Sequence, residues 1–255
     1  MTAAPPGSAP ALAGIDGVVL AGGLGTRLRS VVVDRPKILA PVGGRPFLDH
    51  LLAWLAGQGA RRVVFSLGHL AGQVEAHLAA RRDDFPGLEL EAVVEPEPLG
   101  TGGALAHCRP ALRSDPVLVI NGDTFLEVDL DSFAAAWPRL AAPAALVTVE
   151  VPDAARYGRL ELAPDGRVRR FVEKGGPPGP AWINGGIYLL SAGLIERLVG
   201  MGRCSLERDL LERLPPGSIA AFATRGGFID IGTPESLAEA PKILDRAART
   251  RTSLP

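Results

Sequence analysis

Cysteine is nearly absent. The 255 residues include two, Cys108 and Cys204. That excludes a disulfide framework and a cysteine-ligated zinc site, and two reduced thiols are the expected state. Net charge is also almost missing, at −1. No global field therefore draws nucleic acid or an anionic membrane, and any anion affinity must come from a local cluster. No apolar run approaches the ~20 residues that span a bilayer. The opening MTAAPPGSAPALAG has no basic region and no long apolar stretch, so no signal peptide is expected. His50, His69, His77 and His107 lack the paired spacing of metal ligands, and no Ser-His-Asp arrangement is suggested. Internal repeats are not visible. These absences lead us to expect a cytoplasmic protein with neither a membrane nor a nucleic-acid partner. Nothing marks an assembly domain, so monomer and small homo-oligomer both stay open.

What is present is apolar residue, 47% of the chain, against 22% charged. That suffices for a substantial core in one large α/β domain. Residues 1–14 are rich in Ala, Pro, Gly and Ser and read as a disordered tail. A domain over 15–240 follows, with halves at 15–125 and 126–240, and then a weakly helical to disordered basic tail over 241–255. In the first half, short apolar runs predict strands at Val18–Leu20, Arg62–Leu67, Leu88–Val94 and Val117–Ile120. Helices are predicted after Pro46, over Ala71–Arg81 and over Gly102–Leu112. This alternation predicts a doubly wound, largely parallel sheet. The second half reads as more antiparallel, with strands at Ala145–Val151, Arg159–Leu162, Val168–Phe171, Ile187–Leu190 and Phe228–Ile231. Asp165-Gly166 makes the turn of a hairpin, and 175–180 (GGPPGP) is a loop.

Glycines punctuate the first strand. GVVLAGGLGTRL over 17–28 ends a buried β-branched run in Gly22, Gly23 and Gly25, with Thr26, Arg27 and then Lys37. Glycine lets backbone N–H groups approach a ligand closely. Donors and cations at the carboxyl end of a strand make a site for phosphate. Two familiar phosphate loops fail here. The dinucleotide fingerprint lacks its third glycine, since Leu28 stands there, and the GxxxxGK[ST] loop lacks its lysine. Pro36 and Pro41 keep the segment around Lys37 extended.

Asp123 follows Val117–Ile120 at a glycine turn, the edge of an α/β sheet where ligands sit. A carboxylate there suits Mg²⁺, although it could equally cap a helix. Asp230 lies among apolar residues, where it either faces solvent from an edge strand or needs a partner for its charge; a metal shared with Asp123 would supply one. Glu173 and Lys174 close a strand opposite the predicted site. Tyr157-Gly158 and Asn184-Gly185-Gly186 read as turns able to offer backbone groups to a sugar, or as plain turn chemistry. A second Pro- and Gly-rich loop, EPEPLGTGG over 95–103, is positioned to read a base.

With these residues in hand, the chain resembles the sugar-1-phosphate nucleotidylyltransferases over about 16–240. The signature is GGxGTRL with Pro36-Lys37. The set EPLGTGGA, INGD, RYG, VEK, INGGIYLL and FIDIGTPE is most similar to D-glycero-D-manno-heptose 1-phosphate guanylyltransferases. The resemblance implies a Rossmann-like, GT-A-like fold with a nucleotide-binding half (15–125) and a sugar-phosphate-binding half (126–240). It implies that a nucleoside triphosphate and a sugar 1-phosphate give an NDP-sugar and pyrophosphate, with Mg²⁺. Implied nucleotide contacts are Leu20, Ala21, Gly22, Gly23, Gly25, Thr26, Arg27, Glu95, Gly100, Thr101 and Asp123. Arg27, Lys37 and Asp123 carry the catalysis, and Asp123 and Asp230 hold the metal. Tyr157, Gly158, Glu173, Lys174 and Asn184 meet the sugar phosphate. Ile38 follows Lys37 where the family often has proline. Glu95 stands where uridylyl and thymidylyl relatives often have Gln. A carboxylate is acceptor-only and matches the adjacent N1–H and amino donors of guanine, if it points at the base. Competing expectations are a uridylyl- or thymidylyltransferase for another sugar phosphate, and a non-catalytic nucleotide-sugar sensor.

Overall fold

The computed structural model describes residues 9–28, 31–172 and 178–252. Its elements, in chain order, begin with β1 (Gly17–Leu20), the short pair β2 (Pro41–Val42) and β3 (Arg45–Pro46), and α1 (Phe47–Gly57). Then come β4 (Arg62–Leu67), α2 (Ala71–Arg81), β5 (Glu89–Val94), α3 (Gly100–His107), β6 (Val117–Asn121), β7 (Thr124–Leu126) and α4 (Leu130–Leu140). The second half supplies β8 (Ala144–Val151), β9 (Arg159–Leu162), β10 (Val168–Val172), β11 (Ala181–Leu190), α5 (Ala192–Val199), β12 (Ile219–Thr224), β13 (Phe228–Asp230) and α6 (Pro234–Thr252).

Nine strands form one mixed sheet. β6, β1, β4 and β5 run parallel, whereas β11 pairs antiparallel with β6, β8 and β9. Alternate residues of a strand point to opposite faces, and the core divides accordingly. Val19, Val63 and Phe65 join the cluster under α1, α2, α4 and α6. Val18, Val64 and Val119 join the cluster under α3 and α5. Both faces are covered, which is why these strands read as unbroken apolar runs. The strand ends carry the glycine turn of 21–25 and the turn of 122–123 out at one edge.

Several expectations need correction. Residues 9–14 are not a free tail: Ala11–Gly14 forms a 3₁₀ turn, Leu12 is fully buried, and its N–H donates to Asp131 Oδ1 at 2.9 Å. Burying one such leucine contributes about 2 kcal/mol, enough to hold a short Pro-rich arm. The boundary at 240 falls inside α6, which runs to Thr252 with Ala240, Leu244 and Ala247 buried. The apolar stripe carries the helix through Pro241. α4, α5 and β12 had not been anticipated. α4 is capped by Asp129, which accepts from Ser132 N at 2.9 Å, while Pro138 masks its last turn in the sequence. The helix predicted over Gly102–Leu112 starts at Gly100 and gives way at Cys108 to a 3₁₀ turn.

Candidate active site

The glycine turn, the segment after β6 and the first turn of α3 enclose a cavity of about 400 Å³. Leu20, Ala21, Gly22, Gly23, Gly25, Arg27, Lys37, Glu95, Gly100, Thr101 and Asp123 all line it. These are ten of the eleven expected nucleotide contacts, together with Lys37. Thr26 sits in the 3₁₀ turn Thr26–Leu28 beside it.

Asp123 and Asp230 lie far apart in sequence but converge. β7 pairs antiparallel with β13, setting Asp230 opposite Thr124, and Ile231 N donates to the Asp123 carbonyl at 2.9 Å. Between the two carboxylates stands Lys37. Its Nζ donates to Asp123 Oδ2 at 2.5 Å and lies 3.7 Å from Asp230 Oδ1. Lys37 is presented by the 3₁₀ turn Lys37–Leu39, which Pro36 opens in extended geometry and whose Ile38 and Leu39 are buried. Ile38 anchors the turn, so the missing proline costs it no support. Gly232 fits against the cluster. A Cβ there would lie 2.6 Å from Asp230 Oδ1, 3.1 Å from Lys37 Nζ and 3.3 Å from Arg27 Nη2. The arrangement is therefore a cationic and acidic cluster beside backbone donors, at the carboxyl end of a parallel sheet. The carboxylates offer only oxygen, which suits a hard divalent cation completing its shell from phosphates. Among the described residues no group of three or more His, Cys, Asp or Glu could form a protein-only cage.

A family model described as "Nucleotidyl transferase" matches residues 16–246. The chain belongs to that family. Curated relatives agree along almost the whole domain. It is 34% identical over 231 residues to D-glycero-alpha-D-manno-heptose 1-phosphate guanylyltransferase of Aneurinibacillus thermoaerophilus, covering 90% of this chain and 98% of that one. It is 34% identical over 224 residues to mannose-1-phosphate guanylyltransferase of Mycobacterium tuberculosis, covering 87% of this chain and 62% of that one. Among solved structures, HddC from Yersinia pseudotuberculosis complexed with GMP-PN matches with a TM-score of 0.79 and 38% identity, over 89% of this chain and 98% of that one.

Other expected contacts of this nucleotidyl transferase are occupied differently. Glu95 lines the cavity, but its Oε2 accepts from Leu99 N at 3.1 Å. Its Oε1 lies where a Cβ on Gly22 or Gly68 would fall. The carboxylate thus joins the ends of β1, β4 and β5 to the start of α3. Gly100 has φ +72°, and a Cβ there would lie 2.5 Å from the Cys204 carbonyl, so chain packing alone already requires glycine. The Thr101 hydroxyl donates to Glu207 at 3.0 Å and accepts from Leu206 N at 2.8 Å.

The described sugar-side residues, Tyr157, Gly158 and Asn184, do not line this cavity. Asn184-Gly185-Gly186 is not a free turn but an irregularity inside β11, where the register shifts between Asn184 and Tyr188. Asn184 donates to the Tyr188 hydroxyl at 2.8 Å and accepts from Gly186 N at 3.0 Å. Tyr188 in turn donates to Glu207 at 3.0 Å, so the expected sugar contact belongs to a partly buried polar chain centred on Tyr188. Tyr157 is half-buried, edge-on to Phe228 at 5.5 Å. Burial, and then the nearby Asp230 charge against those of Arg156 and Arg27, pushes its phenol up. Gly158 would bring a Cβ within 3.3 Å of the Val172 carbonyl. Glu173 and Lys174 lie outside the described residues.

Sequence reasoning passed over Leu24, Ile38, Pro98, Ala104, Asn121, Gly122, Arg203 and Gly232, which also line the cavity. Asn121, Gly122 and Gly232 were findable, since each adjoins a flagged aspartate or its strand. Arg203 had no local signal. It arrives because Cys204 docks on α3, its N–H donating to the Leu99 carbonyl and its own carbonyl accepting from Gly102 N, both at 2.9 Å.

Proposed function

We propose that this chain transfers a guanylyl group from GTP to a sugar 1-phosphate, a heptose 1-phosphate first among them, releasing pyrophosphate with the help of Mg²⁺. One observation carries the reading: Arg27, Lys37 and Asp123 line the cavity that the glycine turn opens, and Lys37 links Asp123 to Asp230 beside it. The reaction joins two polyanions, so its barrier is dominated by positioning and charge. An oxygen of the sugar phosphate attacks the α-phosphorus, and the bond from that phosphorus to the bridging oxygen of pyrophosphate breaks. The nucleophile is already an anion, so no general base is needed. Arg27 is set to receive the departing pyrophosphate and Lys37 the α-phosphate, with the backbone N–H groups of the glycine turn along the triphosphate. Mg²⁺ held by Asp123 and Asp230 would neutralise phosphate charge and polarise the phosphoryl oxygens. Lys174 would hold the attacking phosphate. Glu173, Tyr157 and Gly158 would meet the sugar, whereas Asn184 is held by Tyr188 and Gly186.

Preference for guanine is supported by the relatives' names. Two unpaired buried thiols are in keeping with a cytoplasmic setting. The test is pyrophosphate release with GTP, ATP, CTP, UTP and dTTP, each against heptose, mannose and glucose 1-phosphates. GTP with a heptose 1-phosphate should give the highest kcat/KM. A UTP or dTTP preference overturns the base assignment, and best turnover with mannose 1-phosphate overturns the sugar. No release with any pair would favour a sensor.

A further inference from the structure

Lys37 occupies the ground that the reading above gives to a divalent cation. Its ammonium touches Asp123, faces Asp230 and is only 15% exposed at the side chain. Gly232 closes the cluster from a third side, with no room there even for a methyl group. Two carboxylates this close, and this sheltered, need a compensating positive charge in the free protein. An ammonium and a metal ion cannot both take the same oxygens. The lysine stem packs beside the glycine turn, its Cβ lying 3.6 Å from where a Cβ on Gly25 would sit. Rotation of the four-carbon stem can therefore carry Nζ from the carboxylates toward the turn without moving the backbone.

We propose that Lys37 is a resident counter-ion that keeps the metal position closed until a nucleoside triphosphate binds. In the free protein, Nζ neutralises Asp123 and Asp230. Phosphates arriving on the glycine turn give the ammonium a new anionic partner, and its departure frees Asp123 Oδ2 and removes the positive charge facing Asp230, whose Oδ1 keeps its bond from Gly232 N–H. Metal and nucleotide then enter as a unit, and the free enzyme takes up divalent cation weakly. The inference rests on the reading that Asp123 and Asp230 hold the metal, so the experiment separates the two.

Mn²⁺ binding is measured by the loss of its free electron-paramagnetic signal, and melting temperature is followed in parallel. The proteins are wild type, Lys37→Met and Lys37→Gln, each without nucleotide. Removing the ammonium should tighten Mn²⁺ binding by about tenfold or more, since it removes both a competitor and a like charge. Mn²⁺ should raise the melting temperature of the Lys37 variants more than that of wild type. The gain should vanish when Asp123→Asn is added. A second arm uses wild type and Asp123→Asn with a GTP analogue carrying methylene between the α- and β-phosphorus. Mn²⁺ uptake in wild type that depends on Asp123 supports the metal assignment by itself. With that arm positive, Lys37 variants that bind Mn²⁺ no more tightly than wild type overturn the counter-ion proposal alone. Nucleotide-free wild type binding Mn²⁺ as tightly as the analogue complex overturns it too. No Asp123-dependent uptake in the second arm removes the metal assignment and the proposal together.

Discussion

The two halves of this nucleotidyl transferase build their parts of the site by different means. In the first half, chemistry sits on short segments fixed by local sequence. The glycine turn follows β1 directly, Lys37 follows Pro36, and Asp123 follows β6 through one glycine. In the second half, function depends on pairings between distant strands. Asp230 reaches Asp123 only through β7 and β13. Asn184 is committed to Tyr188, and Tyr188 to Glu207, which Thr101 of the first half also contacts. The contrast teaches that a parallel sheet edge delivers ligands locally, whereas the antiparallel half delivers them by register. Changes in the first half should therefore strike chemistry, and changes in the second should strike stability first.

Asp123→Asn should have the largest effect and is the sharpest test of the first half. It removes a carboxylate from the cluster with Lys37 and Asp230, and kcat should fall at least about a hundredfold, roughly 3 kcal/mol, with little loss of melting temperature. Pyrophosphate release near the wild-type rate at saturating Mg²⁺ would take Asp123 out of the role.

Cys108 probes the core under α3. Burial pushes its thiol up to about 11 from an ordinary 9.0. The unfolded chain ionises this thiol from about pH 9, while the folded protein keeps it neutral to about pH 11. The stability it contributes is thus complete below pH 9 and lost as pH rises to 11, by about 2–3 kcal/mol. Urea titrations of wild type and Cys108→Ala across that window should converge; parallel curves would contradict the assignment.

Tyr188→Phe breaks the second half at its polar chain. The ring stays, but Asn184 and Glu207 each lose a buried partner. A loss of about 1–2 kcal/mol in unfolding free energy is expected. Unchanged stability with a lowered kcat would reverse the contrast drawn here.

Gly232→Ala, which lies where the halves meet, should have the smallest effect. Its methyl group would press on Asp230, Lys37 and Arg27. A fall in kcat/KM of about tenfold, 1.4 kcal/mol, with an unchanged melting temperature is the expected outcome. A drop in melting temperature instead would make Gly232 a folding residue.

The element types of the parallel half were legible because buried strands and amphipathic helices carry distinct periods, as at Val18–Leu20 and Ala71–Arg81. α6 runs past the expected boundary because Ala240, Leu244 and Ala247 pack on the core, a support that the basic, weakly periodic local sequence does not show. Asn184-Gly185-Gly186 looked like a turn because glycine pairs mark turns. Inside β11 the same glycines serve a close approach, since a Cβ at Gly185 would meet Leu126 at 2.7 Å and the Val147 carbonyl at 2.9 Å. Glu95 was identified as a site residue, yet its bond to Leu99 N depends on how the α3 loop folds back.

By itself, the amino-acid sequence determined the glycine turn, the cations and carboxylates beside it and the strand ends that carry them. Glycine freedom, proline restriction and apolar period act over a few neighbours and can be read directly. Only the tertiary structure decided that Asp123, Asp230 and Lys37 share one cluster, that Arg203 joins the cavity wall and that Asn184 turns inward. Those outcomes depend on strand register and loop docking, which sum many weak contacts between residues far apart in the chain.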